Sequence, residues 1–397
     1  MKNFDEKFVG LGPELLDDAE SLASDIIAWR REFHQFPELA FEENLTATRV
    51  AQVLESTEGV QVHRGFGTPT SVIGVLRNDL PGPALMLRAD MDALAMEEET
   101  GLPFGSCIPG VMHGCGHDGH MASLLGAAQL LSERRHKLSR PVVLLFQPAE
   151  EGKGGARKLT EAKLISTFQI GWALGVHFWP QLPYGQFFTR PGPITALSDK
   201  FHIEIQGAGA HAATPHLGID PIMIAAHVLL GLEHLVSREI DPLDSVVISV
   251  GQIEGGEAYN IIPERAHLWG TTRAFDTEVR NRVQMLMENT VRDLCRAFRS
   301  TGNVEYRRNY PQSLNDPDFS AAVTERAVAF FGEDMSHILD RPLLAGEDFA
   351  FYSLEVPSCF MLLGTGCEYG LHHPKYDVPE ELLYLASAWE AFLALTL

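Results

Sequence analysis

The chain has 397 residues, with 31 lysines and arginines against 53 aspartates and glutamates, and its formal net charge is -22. Such an acidic chain repels phosphate backbones and anionic lipid surfaces, so neither nucleic acid nor a membrane is expected as a partner. A chain of this length exceeds what one hydrophobic core usually supports, which predicts two domains.

Cysteine usage and the N-terminal sequence bear on the compartment. Five dispersed cysteines give no disulfide framework, and residues 1–7 lack the apolar run of a secretory signal. No stretch has the roughly 18 uninterrupted apolar residues of a spanning helix. We therefore expect a cytoplasmic protein.

The first half of the chain alternates helices with buried strands. Helices are predicted over residues 13–36, 43–55 and 121–132, and strands over Ala84–Asp90, 141–147 and 173–177. This alternation predicts an α/β/α domain with a mixed, mostly parallel sheet. Asp90, Glu150, Glu151 and His177 lie at or just after strand ends, where open α/β sheets place their binding sites.

The pattern changes from about residue 197. Strands and helices are predicted in the order β-α-β-β-α-β, over residues 200–206, 221–236, 245–252, 265–273, 278–298 and 304–310. This order is that of a small ferredoxin-like domain. The chain then returns with a helix at 321–331, a strand at 359–363 and a helix at 380–395. We predict a catalytic domain of residues 1–196 and 311–397, with a lid or dimerisation domain of residues 197–310 inserted into it.

Residues 113–120 form the densest group of metal-binding side chains, with three histidines, one cysteine and one aspartate separated by glycines. Histidine and cysteine favour transition metals, and glycines allow the tight backbone that brings neighbouring side chains onto one ion. The alternative is a polar loop in which Asp118 caps the following helix and Cys115 is a small buried apolar residue.

Further ligand types occur in three separate segments: Glu151 beside Glu150, His177, and the pair His372-His373. Together with the octet they exceed the four ligands of a structural zinc and fit a site for two metal ions. Two adjacent carboxylates at a buried strand end repel each other unless one meets a cation. If Glu151 binds metal, Glu150 can accept the proton of an activated water. The alternative is a solvated acidic loop.

Five segments together resemble the aminoacylase/carboxypeptidase family of dinuclear metallo-amidohydrolases. They are residues 31–39, 87–94, 113–120, 146–152 and 346–349. The most similar branch acts on hippurate, indole-acetyl amino acids and N-acetyl-diaminopimelate. The resemblance covers nearly the whole chain and is specific for the family rather than for the substrate.

The resemblance implies roles for individual residues of the catalytic domain. It implies the metal ligands Cys115, His117, Glu151, His177 and His372, with Glu150 as general base. The His-x-Pro pattern of the family selects His372 over His373. Asp90 would support the metal site, and Arg88 stands where other branches have a metal-binding histidine. Ala95 replaces a proline that is usual in the branch.

The remaining polar residues near these motifs are assigned supporting roles. Asp118 and His120 are expected to orient the metal ligands. His34 and Glu38 are expected to fix the first helix against the sheet. The roles of Glu347 and Asp348 are left open.

The inserted domain contributes three further candidates through the resemblance. His211 would stabilise the tetrahedral oxyanion, either within its own chain or across a dimer, and Asn260 and Arg273 would hold the substrate carboxylate. The alternatives are a turn residue for His211 and a surface ion pair for Arg273. The expected cofactors are two divalent ions: zinc, or else manganese, cobalt or nickel. The expected partners are a small-molecule substrate with a free carboxylate and a second copy bound through the inserted domain.

The sequence thus predicts an amidohydrolase that cleaves N-acyl or N-aroyl amino acids through a metal-bridging hydroxide, with Glu150 as the base. Three alternatives remain: a carboxypeptidase or dipeptidase of the same family, a thiol hydrolase with Cys115 as nucleophile, and a binding protein without catalysis.

Overall fold

The structure is a computed structural model that describes residues 10–397. The chain divides into two compact units. The first comprises residues up to Ile194 together with Ser313–Arg341 and Asp348–Leu397, and the second comprises Thr195–Gln312 and Pro342–Glu347. The predicted inserted domain of residues 197–310 falls within the second unit.

The described residues form eleven α-helices. They are α1 (Leu11–Ser21), α2 (Ala23–Gln35), α3 (Asn44–Ser56), α4 (His117–Glu133), α5 (Gly155–Glu161), α6 (Leu164–Thr167), α7 (Pro221–His234), α8 (Thr277–Ala297), α9 (Pro317–Phe331), α10 (Ala350–Ser353) and α11 (Glu381–Thr396).

The described residues also form sixteen strands. They are β1 (Val60–Arg64), β2 (Val72–Leu76), β3 (Ala84–Asp90), β4 (Val142–Gln147), β5 (Ile170–Trp179), β6 (Phe187–Thr189), β7 (Gly192–Pro193), β8 (Leu197–Gln206), β9 (Ala210–His211), β10 (Val246–Gly255), β11 (Ile261–Ile262), β12 (Arg265–Ala274), β13 (Thr301–Tyr310), β14 (Leu314–Asn315), β15 (Ser336–Ile338) and β16 (Ser358–Gly364).

The first unit is built on an eight-stranded sheet in the order β1-β2-β4-β3-β5-β16-β6-β15. Its central strands β4, β3, β5 and β16 are mutually parallel. Strands β3, β4 and β16 are buried along their whole length, which accounts for their uninterrupted apolar sequences. Helices α1, α2, α4 and α11 pack together beside the sheet. The predicted fold class is confirmed for this unit.

The second unit has the order β8-α7-β10-β12-α8-β13, with an antiparallel sheet β10-β12-β8-β13. Apolar side chains of this sheet meet α7 and α8 in a separate core around Ile203, Leu268 and Met287. Asp220 and Asp276 cap the two helices through backbone N–H groups. The ferredoxin-like order predicted from the sequence is therefore confirmed.

Three predicted helices differ from the structure. The first predicted helix, 13–36, is two helices, α1 and α2, which meet at Leu22. The helices predicted from residues 121 and 321 each begin four residues earlier, at His117 and Pro317. The antiparallel strands β1 and β2 were not predicted. β1 is a half-exposed strand with a weak alternation of apolar and polar residues, whereas β2 is a short strand that is buried along its whole length.

Candidate metal centre

Parallel pairing of β3, β4 and β5 brings the predicted site residues of the first unit to one edge of the sheet. Asp90, the last residue of β3, lies opposite Gln147, the last residue of β4, and Glu150 and Glu151 follow three and four residues later. β5 runs parallel on the other side of β3 and carries His177 near its end. The residues predicted to lie at strand ends are thus neighbours at one edge of the sheet.

The loop of the octet ends at a glycine that the backbone requires. Gly116 has φ 84°, in the left-handed region, and a Cβ there would approach Val378 to 3.1 Å and Tyr376 to 3.3 Å. α4 begins at the next residue, so Cys115 lies in the loop and His117 in the first turn. No side chain caps α4, so the alternative in which Asp118 is the cap is wrong.

The five predicted ligands lie together in the first unit. Ligand atoms of Cys115, His117 and His177 lie within 4.8 Å of one another, and those of Cys115, Glu151 and His372 do so as well. The Cys115 sulfur lies 3.5 Å from His177 Nε2, and His372 Nε2 lies 3.0 Å from Glu151 Oε1. Because Cys115 belongs to both sets, its sulfur is placed where it could contact two ions.

Hydrogen bonds orient two histidines toward this cluster. Nδ1 of His117 donates to the Asp92 carbonyl oxygen at 2.8 Å, and Nδ1 of His177 donates to the Phe178 carbonyl oxygen at 2.8 Å. This tautomer, inferred from the hydrogen-bond network, leaves each Nε2 lone pair available. Among the described residues, the buried Nε2 of His117 has no hydrogen-bond partner. Such an arrangement is typical of metal-binding histidine.

His120 differs because both of its nitrogens are engaged. Nδ1 pairs with Asp90 Oδ1 at 2.6 Å, and Nε2 accepts the Phe178 N–H at 3.1 Å. Its ring stacks on the Phe178 ring at 5.1 Å. His120 therefore holds Asp90 and the backbone of Phe178 in place beside the cluster, and neither of its nitrogens has a free lone pair.

The charges around the cluster suit divalent cations. Burial, and then the carboxylates of Glu151 and Glu150, raise the pKa of the Cys115 thiol well above its usual value. Burial lowers the pKa of His117, but Asp90 and Asp92 outweigh it and raise that pKa to about 10. Burial together with the neighbouring carboxylates keeps the proton on Cys115, and the carboxylates alone keep it on His117; metal ions would replace those protons. The donor set therefore fits a metal centre.

Asp90 lies between the cluster and Arg88. Burial raises the pKa of Asp90, but the guanidinium of Arg88 and the histidines His117 and His120 lower it well below its usual value. Arg88 Nη1 donates to Asp90 at 2.7 Å, and Asp90 Oδ2 lies 3.6 Å from His117 Nε2. Asp90 is thus ionised beside the cluster, in the supporting position that the resemblance implies.

The turn that carries Glu150 and Glu151 is held by a carboxylate that the sequence analysis did not single out. The two oxygens of Asp92 accept the backbone N–H groups of Glu150 and Glu151, each at 2.9 Å. The preceding Ala149 has φ 59°, a strained conformation for a residue with a Cβ, and its N–H donates to Glu43 at 2.9 Å. The only sequence signal was the short spacing of Asp90 and Asp92.

Asp348, whose role the sequence left open, fastens the same region from a distant segment. Oδ1 accepts from Gln147 Nε2 at 2.8 Å and from Arg88 at 3.1 Å, and Oδ2 accepts the Ala156 N–H at 2.9 Å. Its own N–H donates to Glu150 at 3.2 Å. Asp348 therefore fixes the end of β4, the start of α5 and Glu150 together. Glu347 belongs to the second unit.

Asp118 contacts different partners from those predicted. Its Oδ2 accepts from Arg30 Nε at 2.7 Å and pairs with His34 Nδ1 at 2.8 Å, rather than with a predicted ligand. His34 is buried, yet Asp118 and Glu98 raise its pKa to about 9. Glu38 accepts the backbone N–H groups of Leu45 and Thr46 at the start of α3. His34 joins α2 to α4, while Glu38 holds the start of α3.

The two adjacent C-terminal histidines point to different surroundings. His372, at φ 63°, is held by its N–H bond to the Gly114 carbonyl at 2.8 Å and reaches Glu151. His373 instead stacks on Tyr369 at 4.6 Å and accepts the Lys375 N–H. The geometry thus places His372, and not His373, in the ligand cluster.

The three candidates of the second unit lie in two separate places. His211 pairs with Ile261 in the β9–β11 ladder, and the Asn260 carbonyl accepts the Ala212 N–H, so His211 and Asn260 are neighbours. This ladder adjoins the end of β12 that carries Arg265, because Gly207 donates to the Glu264 carbonyl. Arg273 is eight residues further along β12, roughly 26 Å away at strand spacing. One second unit therefore does not bring all three together.

Comparisons with known proteins identify the family of this chain. A model of peptidase family M20/M25/M40 matches residues 86–395. N-acetyl-L-cysteine deacetylase of Bacillus subtilis is 39% identical over 92% of this chain and 86% of its own length. Thermostable carboxypeptidase 1 of Saccharolobus solfataricus is 38% identical over 96% of this chain and 97% of its own.

A solved structure gives a similar result for the fold. The Bacillus subtilis YXEP protein, described as a dinuclear metal-binding peptidase of the M20 family, matches with a TM-score of 0.81 and 33% identity, over 95% of this chain and 98% of its own. The chain belongs to peptidase family M20/M25/M40 and is a metal-dependent hydrolase with deacetylase and amidohydrolase relatives. The family predicted from the sequence motifs is confirmed. Among the described residues no helix is both long and apolar enough to cross a bilayer.

Proposed function

We propose that this protein hydrolyses the amide bond of N-acyl or N-aroyl amino acids at a dinuclear metal centre. The main support for this proposal is the pair of ligand sets that share Cys115, with the carboxylate of Glu150 beside them. The relatives named as deacetylases and amino acid hydrolases act on amides of this type, which supports the substrate class.

Five side chains would hold the two ions: Cys115, His117, Glu151, His177 and His372. Bound there, the ions would polarise the acyl carbonyl and acidify a water molecule. A donor set of one thiolate, three imidazoles and one carboxylate suits zinc, and it also accommodates manganese, cobalt or nickel.

Glu150 is the proposed proton carrier. Its buried carboxylate lies within 4.8 Å of the ligand atoms of His117 and Glu151. The hydrogen bond from its N–H to Asp92 fixes its backbone. It would accept the proton of the attacking water as the oxygen bonds to the carbonyl carbon. It would then give that proton to the leaving nitrogen as the C–N bond breaks, so that a carboxylic acid and an amine are released.

The proposed substrate-binding residues require a second copy of the chain. His211 and Asn260 lie at one end of the second unit and Arg273 at the other, so an oxyanion and a carboxylate on one small substrate cannot meet both ends of one copy. β10 is an edge strand, and α7 exposes Ile222, Met223 and Leu230 beside it. An exposed edge and an apolar helix face are typical of a twofold dimer interface. We therefore propose a homodimer paired through this surface.

A thiol mechanism is less well supported. Burial and the two adjacent glutamates favour the protonated thiol of Cys115, whereas a nucleophilic cysteine needs surroundings that favour the thiolate. Because one similar relative is named a carboxypeptidase, peptides are the second candidate class of substrate.

A hydrolysis screen tests the proposal. Purified protein is stripped with a chelator, reloaded with Zn²⁺, Mn²⁺, Co²⁺ or Ni²⁺, and assayed on N-acetyl, N-benzoyl and indole-acetyl amino acids and on matched dipeptides. Metal-restored cleavage of the acyl amino acids supports the proposal. Cleavage of dipeptides alone supports the peptidase candidate. Activity that survives chelation but not cysteine alkylation contradicts the metal mechanism.

A further inference from the structure

The antiparallel sheet of the second unit has two different faces. Alternate residues of β8, such as Phe201, Ile203 and Ile205, are buried under α7 and α8. The residues between them point to the opposite face and are partly exposed. On this open face, β8 carries His202 and Glu204, and the neighbouring β12 carries His267 and Trp269.

The register of these two strands brings the two histidine rings together. His202 lies opposite Trp269, and Glu204 lies opposite His267. The histidines are therefore diagonal neighbours, and His202 Nε2 lies 3.1 Å from His267 Nδ1. The His202 ring is also nearly parallel to the Trp269 ring, at 5° and 4.8 Å between centroids. Two imidazole nitrogens thus face one another beside a tryptophan that limits the rotation of His202.

We propose that His202 and His267, together with Glu204, bind one divalent transition metal ion such as Zn²⁺. Two nitrogens that each lie 2.0–2.1 Å from a tetrahedral zinc are separated by about 3.3 Å. The observed separation of 3.1 Å differs from this by a few tenths of an ångström. Both rings would also have to turn, so that their lone pairs are directed at a shared ion and no longer at each other. Neutral imidazole is also the ligand that zinc, copper and nickel share.

Glu204 supplies the third ligand. Its Oε2 lies 3.9 Å from His267 Nδ1 and 3.9 Å from Arg265 Nη1, and its side chain is 37% exposed. A partly exposed glutamate can change rotamer at low cost, so the carboxylate can turn toward an ion between the two rings. The Arg265 guanidinium is held separately, because Nε donates to Gln206 at 2.8 Å.

The proposed ion would be separate from the dinuclear centre. Its three ligands belong to the second unit, whereas the five proposed catalytic ligands belong to the first. An ion at this place would link β8 to β12 through side chains as well as through backbone hydrogen bonds. The competing arrangement is a direct hydrogen bond between the two histidines with no ion, which makes a different prediction for metal binding.

Equilibrium dialysis of the full chain against Zn²⁺ distinguishes these possibilities. The variants are His202→Gln and His267→Gln, and the control is His234→Gln, an exposed histidine of the same unit that lies 4.0 Å from Glu239. Each test variant should bind one ion fewer per chain than the wild type, and the control should bind the same number as the wild type. This difference does not depend on how many ions the catalytic cluster holds, so it is separable from the proposed function.

Tryptophan fluorescence gives a second, local readout. Cu²⁺ quenches a nearby indole, and Trp269 lies against the proposed site. Because Trp179 lies beside the catalytic cluster and can be quenched in every variant, the expected change is a partial one: the share of quenching that comes from Trp269 should be lost in His202→Gln and His267→Gln and retained in His234→Gln, with circular dichroism to show that each variant is folded. Equal ion counts and equal quenching in the wild type and both folded test variants would overturn the proposal. If a single variant unfolds, Glu204→Gln replaces it, with weaker Zn²⁺ binding expected and unchanged binding contradictory.

Discussion

Each unit of this protein contains a cluster of histidines and carboxylates, and the two clusters differ in how they are held. In the first unit, His117 and His177 are buried, and backbone carbonyls hold their Nδ1 atoms, so that both Nε2 atoms point into the cluster. In the second unit, His202 and His267 are partly exposed and contact each other directly. The histidines of the first cluster are therefore fixed by the backbone, whereas those of the second are partly open to solvent.

The two units also differ in how complete they are within one chain. The predicted metal ligands and Glu150 all lie together in the first unit. In the second unit, His211 and Asn260 lie near the β12 end that carries Arg265, and Arg273 lies near the other end of β12. We infer that one chain can build the metal centre but that two chains are needed to surround a substrate.

The largest effect is expected from Glu150→Gln, which removes the proposed proton carrier and keeps the shape of the side chain. The hydrolysis rate should fall by roughly 10²–10⁴, the contribution usual for general acid–base catalysis. Metal content, measured by elemental analysis, should stay at the wild-type value. The exposed Glu161→Gln serves as control, and near-wild-type activity of Glu150→Gln would remove this residue from the mechanism.

A co-expression experiment tests whether two chains contribute residues to one substrate site. His211→Ala and Arg273→Ala alone should each be nearly inactive. Co-expressed, they should recover about a quarter of the wild-type activity, because half of the dimers are mixed and each mixed dimer has one intact site. No recovery from folded, mixed dimers would show that both residues act within one chain or that neither contacts the substrate.

A smaller effect is expected from Asp92→Asn. The amide can accept one of the two N–H groups at Glu150 and Glu151, but its NH₂ group faces the other donor. We expect a loss of about 10–100-fold in metal affinity or activity, as for other residues that hold ligands in place. Metal titrations measure this loss, with the exposed Asp79→Asn as control. Wild-type metal affinity and rate would show that the turn keeps its shape without Asp92.

The smallest effect concerns stability far from either cluster. Burial in α11 raises the pKa of Glu390 well above its usual value, so the folded protein holds a proton that the unfolded chain releases. The free energy of unfolding therefore falls as pH rises above the unfolded pKa, by at most about 1.4 kcal/mol per pH unit. In urea unfolding, the free energy of unfolding of Glu390→Gln should increase relative to that of the wild type as pH rises. That of the exposed Glu381→Gln should not. A pH-independent difference would contradict this account.

Residues that are close in sequence or that end strands were predictable. The β-α-β-β-α-β order was recoverable because each element is long and apolar on one face. The strand-end position of Asp90, Glu150 and His177 followed from the parallel sheet. These features depend on local pattern and on one general rule of sheet geometry.

Residues that act through tertiary contacts were not predictable. Asp92 accepts N–H groups 58 and 59 residues away, and Asp348 bonds to Ala156 at a separation of 192 residues. Nothing in their local sequence indicates those partners. Likewise, His202 and His267 are 65 residues apart in the sequence, and their contact depends on the register of β8 and β12. An isolated carboxylate or histidine acquires such a role only when the fold is known.

The metal content of the double variant His202→Gln/His267→Gln tests the central claim most directly, because this variant lacks the proposed site of the second unit. After dialysis to remove loosely bound ions, elemental analysis should find two ions per chain, and the additional change His177→Ala should reduce that number. A single ion per chain, or a count that His177→Ala leaves unchanged, would contradict a dinuclear centre built from Cys115, His117, Glu151, His177 and His372.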